Sequence, residues 1–140
     1  MSNHFSTPPT GIILVDHGSR RVDSNQTLER FAAMFQASRP DWIIEPAHME
    51  LAEPTIRTAF DRCVERGARF VVVAPYFLAP GKHWREDIPA LAAQAAAHHA
   101  DISYLVTAPI GLHPLMCEVV QERIEQCLAE PVRRPEDQRP

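Results

Sequence analysis

The chain has 140 residues, a formal net charge of −4, and 45% hydrophobic against 23% charged residues, the balance of one ordinary soluble globular domain. That composition excludes the basic patch or stripe of a nucleic-acid-binding domain, and Arg133 and Arg134 in the tail are offset by Glu136 and Asp137. The opening MSNHFSTPPT lacks the basic start and apolar run of a signal peptide, and no stretch approaches the ~20 apolar residues that span a bilayer, so no membrane partner is expected.

The first apolar run, Gly11-Ile12-Ile13-Leu14-Val15, has no polar alternation and reads as a strand buried on both faces. Asp23-Ser24-Asn25 can cap the following helix, whose Leu28, Phe31, Ala32 and Phe35 recur at helical spacing until Pro40 stops it. A second strand fits Trp42 to Ala47, with Pro46 arguing for an edge position or a short strand. Glu53-Pro54 is expected to open the next helix, with Ile56, Ala59, Phe60, Cys63 and Val64 as its apolar stripe and Gly67 as its stop. Phe70 to Ala74 is the clearest strand. The segment Pro75 to Trp84 after it is long for a strand-to-helix connection, and long connections at such places often carry function. An alanine-rich helix is expected from about Arg85 to His98, a fourth strand over Ile102 to Val106, and a last helix opening at His113-Pro114.

Three cysteines, Cys63, Cys117 and Cys127, are odd in number and widely spaced. They form neither a zinc pattern nor a disulfide framework, and a cytoplasmic setting is expected. Residues 1–9 and 131–140 have little apolar content and read as flexible tails around one folded domain over 10–130.

Four strand–helix alternations imply a parallel sheet with right-handed crossovers and helices on both faces. Ligands of such sheets bind outside the carboxyl ends of the strands. That rule selects Asp16 to Arg21, His48 to Pro54, Pro75 to Arg85 and Thr107 to His113. Of the seven histidines, His4 falls in a tail, and His98 and His99 fall at a helix end that suits cations. His17, His48, His83 and His113 share the rim. His17 follows a buried strand and precedes Gly18, where backbone can approach a ligand closely; a histidine satisfied by a nearby carbonyl is the other reading. His83 follows a proline-framed loop and precedes Trp84. Imidazole is the commonest metal ligand and exchanges a proton near neutral pH, so two imidazoles on one rim are a candidate metal or proton-transfer pair. Glu50, just past the second strand, is a further candidate, while Glu53 reads as a solvated or helix-start charge. His113 before Pro114 is as well explained by a helix start. No glycine-rich phosphate loop is present.

The segments VDHGSR, ELAEPTI, VVVAPYFLAPGKHWREDIP and APIGLHPLM resemble the small members of the sirohydrochlorin chelatase family, the class II tetrapyrrole chelatases usually described as cobalt- or iron-inserting. The resemblance runs from about Gly11 to Ile124 and is most specific in PYFLAPGKHWREDIP. It implies a flavodoxin-like three-layer α/β chelatase fold with a four-stranded parallel sheet, so that 10–130 is the chelatase domain. It implies a two-histidine metal site carried onto His17 and His83, with the acidic residue of ELAEP falling at Glu50. No permanently bound cofactor is implied. The divalent metal, Co2+, Fe2+ or Ni2+, is a substrate, and the product is a precursor of siroheme, a corrinoid or a nickel cofactor. Long family members hold two such domains, so one domain is expected to form a homodimer with the cleft between subunits. Sirohydrochlorin is a polycarboxylate, which makes Arg20, Lys82, Arg85 and the neighbouring Ser19 substrate-binding candidates beside their reading as solvated surface. Tyr76, Phe77 and Trp84 are candidate apolar walls, with core packing the alternative for the first two.

Two other classes stay open at this level. A histidine phosphatase would place a histidine and glycine after its first strand, but Asp16 would repel a phosphate there. A non-catalytic metal or tetrapyrrole carrier would use the same histidines.

Overall fold

A computed structural model describes residues 7–79, 81 and 83–138, and for His83, Trp84, Asp137 and Gln138 it describes the backbone only. The elements alternate as expected. Strand β1 (Gly11–Asp16) is followed by helix α1 (Val22–Ser38), β2 (Ile43–His48), α2 (Ile56–Glu65) and β3 (Phe70–Pro75). A π-helical turn (His83–Asp87) leads into α3 (Ile88–Ala96), then β4 (Ser103–Val106) and α4 (Pro114–Leu128). A short 3-10 turn lies at Pro135–Gln138. Among the described residues no helix is long and apolar enough to cross a membrane.

All strand pairs are parallel, in the order β2-β1-β3-β4. This is the flavodoxin-like order, in which the chain reverses its direction of travel between β1 and β3. Pro46 is tolerated because β2 is an edge strand, paired on one side with β1, where Pro46 stands opposite Leu14. Strand alternation divides the core in two. Ile13, Val15, Ile43, Ala47, Val71 and Val73 face Ile56, Phe60, Cys63, Ile88 and Ala92 of α2 and α3. On the other face Ile12, Leu14 and Ile44 pack under Leu28 and Ala32 of α1. Gly11 is needed for the first packing, since a Cβ there would stand 2.9 Å from Cys63 Cβ and 3.1 Å from Ala68 Cβ.

Several local expectations need correction. Helix α1 starts at Val22 after Arg21, with no side-chain cap. Asn25 instead ties the preceding turn, accepting from the Ser19 N–H at 3.0 Å and donating to the Ser19 carbonyl at 2.7 Å. Glu53-Pro54 does not open α2. Thr55 caps it, its hydroxyl accepting from the Thr58 N–H, and Pro54 is spent earlier, its carbonyl accepting from the His48 N–H. The third helix is not regular from Arg85, because its first turn is π-helical and α-geometry begins at Ile88. Helix α4 begins where expected but no residue of it is buried, so the fourth helix does not complete the layer on the α1 face. Of the cysteines, Cys63 is buried as a small hydrophobe, whereas Cys117 and Cys127 on α4 are exposed.

Candidate active site

The rim between the carboxyl ends of β1 and β3 is the topological switch point, where two neighbouring connections leave in opposite directions and open a crevice. His17 is the first residue past β1. Its ring stacks on that of Phe77, two residues past β3, with centroids 4.1 Å apart and planes inclined by 20°. Phe77 is buried, so it fixes a platform, while His17 itself is exposed at the rim. A stacked imidazole keeps both nitrogens at the edge of the stack, the direction from which a metal or proton must arrive.

Glu50 reaches the same rim through backbone pairing that continues past the strands. The Met49 N–H donates to the Asp16 carbonyl at 2.9 Å, and the Glu50 N–H donates to the His17 carbonyl at 3.2 Å. Gly18 makes this approach possible: at φ +86° a Cβ would fall 1.9 Å from the Glu50 carbonyl oxygen. The next residue, Leu51, sits in the left-handed region at φ 71°, which costs about 1–3 kcal/mol for a side-chain-bearing residue and is typical of segments held in place for function. The Glu50 side chain is exposed and lines, with Met49, Asp87 and Leu91, a cavity of about 330 Å³ between the β2–α2 connection and the start of α3.

Beneath this turn lies a pair whose partnership spacing did not announce. His48, fully buried, holds Nδ1 2.6 Å from Asp16 Oδ1. The same carboxylate oxygen accepts from the Gly18 N–H at 3.0 Å. Nδ1–H donating to Asp16 leaves His48 Nε2 as an acceptor, and Nε2 meets no polar partner among the described residues. Asp16 therefore braces the turn that presents His17, and His48 braces Asp16. The signal was the parallel register, which sets Asp16 directly opposite His48 at the ends of adjacent strands.

The remaining candidates divide. His83 opens the π-helical turn after β3, and its side chain, like that of Trp84, lies outside the described residues, as does the whole of Lys82. Arg85 is exposed on that turn and Arg20 on the β1–α1 turn. Ser19 Oγ accepts from the Arg21 N–H at 3.0 Å, which gives it a turn-forming task whatever else it does. Tyr76 packs against Phe31, ring centroids 4.9 Å apart, rather than against His17. His113 caps α4, its Nδ1 accepting from the Leu115 N–H at 3.1 Å, and His99 Nε2 is 2.6 Å from Asp61 Oδ1. Among the described residues no three of His, Cys, Asp and Glu converge on one point. An apolar groove of about 610 Å³ runs along α4; of the candidates above it takes in His113 alone, at the start of the helix.

The family CbiX matches residues 11–127. The chain is 57% identical over 119 residues to the sirohydrochlorin ferrochelatase, chloroplastic, of Arabidopsis thaliana, an alignment covering 85% of this chain and 53% of that protein. It is 31% identical over 139 residues to the sirohydrochlorin cobaltochelatase of Methanopyrus kandleri, covering 85% of this chain and 97% of that one. Among solved structures, the sirohydrochlorin chelatase SirB from Bacillus subtilis subspecies spizizenii in complex with cobalt superposes with a TM-score of 0.77 at 32% identity, covering 84% of this chain and 50% of that chain. The chain thus spans about half the length of the plant and Bacillus proteins and nearly all of the Methanopyrus one.

Proposed function

The chain belongs to the CbiX family, and on that footing we propose that it inserts a divalent metal into a sirohydrochlorin-type tetrapyrrole. The observation that carries the proposal is His17 stacked on Phe77 at the β1/β3 switch point, with Glu50 bonded to it through the backbone. Relatives named as sirohydrochlorin ferrochelatase and cobaltochelatase support the substrate class.

Insertion exchanges two pyrrole N–H protons for one divalent cation. The cation must shed water, reach the ring nitrogens, and leave two protons on acceptors. Imidazole suits iron, cobalt and nickel, and a site with few protein ligands keeps positions open for the macrocycle. His17 and His83 bind the incoming metal in this reading, and one of them takes a pyrrole proton. Glu50 accepts the second, its exposed side chain carried on the connection that bonds through the backbone to His17. Arg20, Lys82, Arg85 and Ser19 hold the carboxylates of the macrocycle, the arginines as two-pronged donors. A flat macrocycle is larger than the shallow rim of one small domain encloses, so the working unit is a homodimer with the cleft between copies.

An anaerobic absorbance assay of sirohydrochlorin with cobalt, ferrous iron and nickel in parallel tests the activity and ranks the metals. Metallation faster than the spontaneous rate with at least one metal is expected; spontaneous rates with all three overturn the reading and leave a carrier. His17→Ala and His83→Ala are each expected to lose about 10²-fold or more, the lower range of general-base contributions, with unchanged far-ultraviolet circular dichroism. Full activity in either removes that histidine from the mechanism.

A further inference from the structure

The rim cavity beside Glu50 continues away from the rim. Met49, Leu91 and Gln94, which line it, also line a second cavity of about 220 Å³ whose further walls include Arg57 and His98. With three walls in common, the two form one groove between α2 and α3. Asp87, Leu91, Gln94 and His98 are spaced by four, three and four residues, the spacing of one helix face. Asp87 stands at the start of α3 and His98 in the turn after it, about 16 Å apart at the rise of a helix.

The groove is polarised. Its rim end carries the exposed acids Glu50 and Asp87. Its far end carries Arg57 and His98, also exposed. Arg57 lies in the first turn of α2, just past the connection that bears Glu50. Its Nε donates to Asp61, 3.3 Å from Oδ1 and 3.2 Å from Oδ2. Among the described residues its two Nη groups have no hydrogen-bond partner, and they are the prongs with which a guanidinium grips a carboxylate end-on. Asp61 is shared with His99, whose Nε2 is 2.6 Å from Oδ1, so it does not serve Arg57 alone.

A dication and a carboxylate belong at opposite ends of such a groove. Glu50 and Asp87 attract the metal and repel the arms of a polycarboxylate. The bases already given to the substrate, Arg20, Lys82 and Arg85, fall in the segments after β1 and β3, and none falls after β2. A macrocycle with carboxylate arms on all sides needs a base on the Glu50 side too. Met49 and Leu91, both half-buried between the two ends, offer an apolar path to the methylenes of an arm.

We propose that this groove receives a carboxylate arm of the tetrapyrrole, with Arg57 binding the carboxylate and Gln94 and His98 donating to it. The macrocycle edge enters the rim cavity, and the arm passes Met49 and Leu91. The proposal rests on the chelatase reading above and adds how the substrate is held on the side of Glu50. Arg57 is a specificity determinant, remote from the reacting nitrogens.

The test compares the full chain with Arg57→Gln, Arg57→Lys and Gln94→Trp. Equilibrium binding of metal-free sirohydrochlorin and of its methyl ester is read by fluorescence, and metallation by absorbance. Arg57→Gln should weaken binding of the free acid and raise its KM about tenfold, the loss of one charged hydrogen-bonded pair. Its kcat and its KM for metal should stay close to the parent's. The methyl ester brings no charge and should bind parent and variant alike. Arg57→Lys should recover part of the loss, as a point charge without the fork. Gln94→Trp, at an exposed helical position, should fill the groove and raise the same KM. A parent that does not bind sirohydrochlorin overturns the chelatase reading and the arm site with it. If the parent binds and Arg57→Gln matches it in affinity and KM, the arm site alone falls. It falls too if Arg57→Gln weakens acid and ester equally, which assigns the loss to shape rather than charge. The Arg57–Asp61 pair is exposed and worth little to stability, so Arg57→Gln should keep its circular dichroism. Should it not, Gln94→Trp decides, and a parental KM there overturns the arm site.

Discussion

Gly18 and Asp16 flank the histidine on which the proposed chemistry depends, and both are fixed by contacts rather than by propensity. Replacing Gly18 with alanine sets a methyl group against the Glu50 carbonyl at a φ that alanine resists. Overpacking of this kind costs about 1–3 kcal/mol, and the relief available, parting the β1–α1 turn from the β2–α2 connection, separates His17 from Glu50. Gly18→Ala should therefore lower both the urea midpoint and metallation; an unchanged midpoint would show that the two loops part freely. Asp16→Ala leaves buried His48 with neither ring nitrogen paired, a loss of about 1–3 kcal/mol. Asp16→Asn keeps an acceptor for the Gly18 N–H and should cost less. Equal unfolding curves for Asp16→Ala and the parent would mean that the pair contributes nothing.

His17 and Glu50 were legible as rim residues because His17 immediately follows β1 and Glu50 comes two residues after β2. The Asp16–His48 pair was not, since it depends on which strands are neighbours and in what register. Phe77 was read with core packing as an alternative to a substrate wall; it is buried, and His17 rests on its ring.

At the scale of elements, strand positions followed from apolar runs, and only helix starts went astray. Pro54 looked like a first-turn proline, but Thr55 offers a hydroxyl to the open N–H groups and takes the cap. The turn before α3 departs from α-geometry at the loop the sequence marked as long. Helix α2 carries a side-chain linkage to His99, in the turn that follows α3. Burial pushes the Asp61 carboxyl upward, but hydrogen bonds from His99 and Arg57 outweigh it and hold it below the ordinary aspartate range. A carboxylate depressed in the folded state stabilises the fold above its unfolded pKa, and that stabilisation is lost as pH falls through the folded value. Asp61→Asn should therefore be less stable than the parent at neutral pH, with the gap closing as urea titrations move below about pH 4, the ordinary aspartate value. A gap that stays constant with pH would assign the loss to packing instead.

For the whole molecule, the alternation of elements led directly to a parallel sheet with helices on both faces, yet not to the fate of α4. Its pattern is that of any buried amphipathic helix, and periodicity cannot say whose core receives it. The three cysteines read that question without substitution. Only the thiolate is nucleophilic. Burial first, and the charge of Glu45 second, push the Cys63 thiol up to about 12, so it should resist iodoacetamide at pH 8 in any assembly state. Cys117 and Cys127 are exposed in the single chain and should be alkylated readily in dilute solution. Cys117 stands in the α4 groove beside Val120 and Ile124. If that side of α4 is covered in the proposed homodimer, the rate at Cys117, followed by mass spectrometry of the peptides, should fall as protein concentration rises through the dimerisation range while Cys63 stays silent. A Cys117 rate independent of concentration would place its side of the helix in solvent in the dimer. Alkylation of Cys63 at the rate of the other two would mean that the packing among Gly11, Cys63 and Ala68 opens readily in solution.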